Sequence, residues 1–105
     1  MLKTSHFQVA SKEALHAFAS KYQLEIYTRE EKNKTTYSLL SNKIFEGNVE
    51  ELCQEFQKLL SNEELVFFDI NCIQENLFIA ITPDKIITKP ATSITASILL
   101  DMLDL

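Results

Sequence analysis

Two short runs, Leu65-Val66-Phe67-Phe68 and Leu77-Phe78-Ile79-Ala80-Ile81, constrain the fold of this chain more than any other feature. Each has the length of a strand and neither alternates, so side chains on both faces want burial. A sheet covered by helices on one side only should read apolar and polar in turn. The chain must therefore supply a second cover for the hairpin Leu65–Ile70 and Leu77–Ile81, or leave that surface for a partner.

The rest of the sequence reads as alternating helices and hairpins. Leu15, Phe18, Ala19 and Tyr22 fall at helical spacing and predict a helix over Lys12–Tyr22, with Ser11 as its N-cap. Val49, Leu52, Phe56, Leu59 and Leu60 predict a second over Val49–Leu60, with Asn48 capping and Glu51 at the third helical position. Leu24–Glu30 and Thr35–Leu40 form a hairpin across the polar Glu31–Lys34, and Lys43–Glu46 is expected to add a strand. Lys85–Thr88 predicts a further strand stopped by Pro90, after which Thr92 or Ser93 caps a last helix to the C-terminus. That last segment is apolar nearly all round, as in a helix buried on two sides.

The expected fold class is α+β: one two-layer domain spanning residues 1–105, an antiparallel sheet with helices on one face, in the order β-α-β-β-β-α-β-β-β-α. The two halves also match in pattern. His6–Leu15 lies over Lys43–Leu52, Leu24–Tyr27 over Leu65–Phe68, and Thr36–Leu40 over Leu77–Ile81. An αβββ duplication is one reading of this, a shared common layout the other.

Composition excludes several functions. Gly47 is the single glycine, so the glycine-rich loops that cradle phosphates cannot be built. The ten basic residues include one arginine, Arg29, and the net charge is −5, which together argue against nucleic acid as a ligand. His6, His16, Cys53 and Cys72 share no metal-ligand spacing, and no cofactor is expected. Two isolated cysteines and no N-terminal charged-then-apolar stretch fit a reducing, cytoplasmic setting, and no apolar run is long enough for a membrane span.

What remains points to protein binding rather than catalysis. Glu46, Glu50, Glu51 and Glu55 cluster on and before the second helix, where they are either a solvated surface or an acidic patch that steers a basic partner. Tyr27 and Tyr37 in the first hairpin are candidate exposed anchors, and Leu99 and Leu103 candidate interface residues of the last helix. The order helix, three strands, helix, two or three strands, helix over Ser11–Leu105 resembles that of the class I chaperones of type III secretion systems, in layout alone and without a shared motif. The resemblance implies a cytoplasmic homodimer that holds a partner's segment extended on its surface. The expected function is thus a non-catalytic interaction module, either adaptor, chaperone-like or inhibitor, binding another protein and forming a homodimer. The alternative is a small enzyme with a Cys/His or carboxylate site.

Overall fold

The computed structural model describes residues 1–61, 64–73 and 75–90. Over these residues it is an α+β fold of two helices and a six-stranded antiparallel open sheet. In chain order the elements are β1 (Leu2–Thr4), α1 (Lys12–Tyr22), β2 (Glu25–Glu31), β3 (Lys34–Ser41), α2 (Val49–Gln57), β4 (Val66–Asn71), β5 (Asn76–Ile81) and β6 (Ile86–Pro90). The strands lie in the order β2-β3-β1-β4-β5-β6, so the short β1 joins a hairpin to a three-strand meander.

Three expectations change. Lys43–Glu46 is not a strand: only Phe45 bridges, in parallel, to Cys72. β1 already occupies the slot between β3 and β4, so the later segment finds a place only past the end of β1. The β-α-β-β-β opening is therefore β-α-β-β, and the likeness to the chaperone layout fails at this point. Nor is the repetition of the two halves carried into the pairing, because β1 is central and its counterpart is one bridge. β1 also falls before His6–Leu15, the stretch matched to Lys43–Leu52, in which Phe7 and Val9 make isolated bridges only, to Tyr37 and Leu60. The helix expected after Pro90, with Leu99 and Leu103, falls outside the described residues.

Both helices start as their caps require. Ser11 Oγ accepts from Ala14 N at 3.2 Å, and Asn48 Oδ1 accepts from Glu51 N at 3.0 Å. α1 ends at Gln23, whose left-handed backbone (φ 57°) lets its N–H return to the carbonyls of Ala19 and Ser20. α2 stops at Gln57, short of the expected Leu60. Tighter turns follow, from Leu59 N to Phe56 O and from Leu60 N to Gln57 O.

The main core lies between both helices and one face of the sheet. Leu15, Phe18 and Ala19 of α1 and Leu52, Cys53 and Phe56 of α2 meet Leu2, Leu39, Phe68, Ile70, Ile79 and Ile81 from the strands. Alternation sends Phe67, Phe78, Ala80 and Ile87 to the opposite face, where with Leu65 they form a second apolar cluster. The lack of alternation in β4 and β5 thus reflects a two-faced hairpin.

Candidate functional site: an apolar end of the sheet

The site is assembled where β1 begins and β4 ends. Asn71 N donates to Met1 O at 2.7 Å, and Phe45 N donates to Asn71 O at 2.9 Å. Phe45 therefore takes the position that β1 would have occupied had it started earlier. Beyond Asn71 the chain turns, closed by Cys72 N to Glu75 O at 3.0 Å, and sets Ile73 on the turn. Met1, which accepts from Asn71, and Ile44 and Ile73, the neighbours in sequence of the bridged Phe45 and Cys72, are thereby brought to the same end of the sheet, 45%, 57% and 71% exposed.

Phe45 is half-buried and divides two open hollows. One, of about 260 Å3, is bounded by Tyr22, Leu24, Lys43, Ile44 and Phe45 among others. The other, of about 330 Å3, is bounded by Phe45, Val49, Cys72, Ile73, Glu75 and Leu77 together with Glu46 and Gly47. Gly47 keeps the ring in place by what it lacks: a Cβ there would come 3.0 Å from Phe45 Cζ. Tyr22 closes the helix side, its ring centroid 6.3 Å from that of Phe45.

The glutamates do not form one uniform patch. Glu55 is bound by α1: Lys21 Nζ lies 2.5 Å from Oε1, and Tyr22 Oη donates to Oε2. The hydrogen bonds from Lys21 and then Tyr22 hold its carboxyl below the usual range. Its carboxylate in turn raises Lys21, while burial and then Glu55 push the Tyr22 hydroxyl up to about 12. Glu51 is 3.8 Å from the same Lys21. These two acids therefore fasten α1 to α2, and Glu46 and Glu50 are left as exposed acids, Glu50 accepting from Gln54 Nε2 at 3.3 Å. Glu46 alone of the four lines the hollows.

The two tyrosines part company. Tyr27 is 50% exposed on β2, its hydroxyl donating to Glu25 Oε2 at 3.0 Å. Tyr37 is not an exposed anchor but a core residue, 8% exposed, because its register opposite Thr28 and its bridge to Phe7 place it under the helices. Sequence reasoning missed Met1, Ile44 and Ile73. For Ile73 a signal existed: a β-branched apolar residue in a turn between Asn71 and Glu75, where polar residues are the rule.

Neither thiol is set up as a nucleophile. Burial drives Cys53 up to about 12, and burial followed by the charge of Glu75 raises Cys72, so both are held as thiols. Among the described residues no group of three or more His, Cys, Asp or Glu is placed to hold a metal ion, and no helix is long and apolar enough to cross a membrane. No protein-family model matches the chain, nor does any curated protein or solved structure.

Proposed function

We propose that this chain is a non-catalytic protein-interaction module, a small acidic adaptor, chaperone-like or inhibitor protein of the cytoplasm, that binds another protein through the apolar end of its sheet. The observation that carries this reading is the placement of the exposed Met1, Ile44 and Ile73 at the one end of the sheet where Phe45 bridges Cys72. Single exposed apolar side chains are ordinary on a protein surface, whereas three at one end of a sheet, beside two hollows that share a half-buried aromatic ring, form a patch. Apolar anchors in a centre with charged residues at the edge are also how interface energy is usually arranged. Glu46 and Glu75 supply the edge here, and their charge favours a partner with basic residues round its own apolar anchors. In its simplest form the partner is a second copy, bringing the same patch to a two-fold contact. The raised thiols count against the Cys/His enzyme, since a thiolate would be needed.

The test is a photo-crosslinking amino acid placed at Ile73 in the full chain, expressed in its native host. The control is the same group at Ala17, on the exposed side of α1. A discrete light-dependent adduct at position 73 and none at 17 is expected, and an adduct of twice the chain mass identifies the second copy. No adduct at 73, or equal adducts at both positions, overturns the reading.

A further inference from the structure

The two edges of the sheet differ. β6 is short and includes Pro90, which has no N–H to offer a neighbouring strand. β2, at the other edge, pairs with β3 without interruption from Glu25↔Leu40 to Glu31↔Lys34, and it contains no proline. A long, regular edge of that kind is a template for a further strand. The register shows which backbone groups are on offer. Tyr37 exchanges both of its backbone bonds with Phe7, and Leu39 N donates to Thr4 Oγ1, so these two residues of β3 turn toward β1. Thr28 and Ile26 lie opposite them and therefore turn their N–H and C=O to the open edge, as does Glu30 two residues on.

The side chains of β2 are complementary to themselves when the strand is reversed. Its face away from the helices carries Glu25, Tyr27, Arg29 and Glu31, all exposed. Within one chain the Tyr27 hydroxyl donates to Glu25, and Arg29 is ion-paired with Glu31. An antiparallel copy of β2 can bond to this edge only where outward-turned residues meet outward-turned residues. Centred on Thr28, that pairing opposes Glu25 to Glu31; centred on Arg29, it opposes two arginines; centred on Ile26, it leaves both Glu25 and Arg29 without an opposite charge. Centred on Tyr27, it sets Glu25 against Arg29 of the second copy twice over, Tyr27 against Tyr27, and Ile26 against Thr28. Glu30 then faces Leu24, Glu31 faces Gln23, and Lys34 stays beside Glu31 of its own chain, so no like charges are opposed. Opposite charges and aromatic pairs directly across a ladder stabilise it, and like charges there do the reverse.

We propose that two copies of this chain pair antiparallel along β2, with Tyr27 on the two-fold axis and Glu25 ion-paired to Arg29 of the second copy on either side. Ile26 and Thr28 exchange the backbone bonds, and the two sheets become one. The contact uses none of Met1, Ile44, Phe45 or Ile73 and is independent of the partner patch.

Sedimentation velocity on the full-length chain tests the pairing, because the register predicts a pattern of charge reversals. The parent should sediment as a dimer. Glu25→Arg alone and Arg29→Glu alone each oppose like charges twice in the contact, and each variant should sediment as a monomer at the same concentration. An equal mixture of the two variants again opposes unlike charges at both places and should return the dimer, which also shows that both variants are folded. A monomeric parent would overturn the proposal. So would single variants that remain dimers, as expected if the copies meet elsewhere or in the register centred on Thr28, and so would a mixture that stays monomeric.

Discussion

Thr4 is the one polar side chain buried in the core among the described residues, and its hydroxyl has a defined task. β1 pairs with β3 at Leu2 and Lys3, then leaves the ladder, and the N–H of buried Leu39 is met by Thr4 Oγ1 at 2.9 Å. Ser5 performs the matching service toward β4, its Oγ accepting from Phe67 N at 3.0 Å. A three-residue strand can therefore hold two hairpins together without orphaned backbone groups. Thr4→Val keeps the shape and removes the acceptor, leaving the Leu39 N–H buried and unmet. Denaturant unfolding should show a loss of about 1–3 kcal/mol, and Thr4→Ser should recover the larger part of it. Equal stability of Thr4→Val and the parent would mean that this hydroxyl contributes nothing. None of this was legible in the sequence, since a threonine near an N-terminus looks like a surface residue until the strands on either side are known.

At the scale of elements, local signals proved dependable and pairing did not. Ser11 and Asn48 start their helices as expected, because a cap is satisfied within three residues. The first hairpin turns at Lys32 and Asn33, both with positive φ, within the expected polar stretch Glu31–Lys34. The strand expected at Lys43–Glu46 failed for a reason outside its own residues, the prior occupation of the sheet by β1. Gln23 shows where the sequence is not optimal: it closes α1 in a left-handed conformation that glycine adopts more readily. Gln23→Gly should raise stability by about 1 kcal/mol, the usual scale of the left-handed penalty, with thermal unfolding as the measurement. A fall in the midpoint would show that the Gln23 side chain has a role of its own.

At the scale of the molecule, Phe56 is the hub of the aromatic core. Its ring lies 4.9 Å from Phe7, 5.7 Å from Phe18 and 4.7 Å from Phe68, and so joins α2 to α1, to the segment after β1 and to β4. Phe56→Ala should cost about 3–5 kcal/mol, enough to threaten folding in a domain of ordinary stability. Ile73, by contrast, has little packing to lose. Ile73→Ser should move stability by no more than about 0.5 kcal/mol while removing the proposed anchor. Denaturant titration of both variants checks the contrast: a large loss with Ile73→Ser would make that residue part of the core, and the patch would lose its standing as a free surface.

The sequence by itself determined the α+β class, the two capped helices, both hairpins, the presence of a last strand, though it runs through Pro90 rather than stopping before it, and the two-faced character of β4 and β5. All of these follow from periodicity and from caps and turns that act over a few residues. Tertiary structure decided the rest. It placed β1 between the two hairpins, reduced Lys43–Glu46 to one bridge at Phe45, buried Tyr37, and drew Glu51 and Glu55 to Lys21. It also brought Met1, Ile44 and Ile73 to one end of the sheet, from positions up to 72 residues apart. Which strand takes which slot depends on competition among segments distant in the chain, and the surface assembled at the ends of those strands is settled only when that competition is.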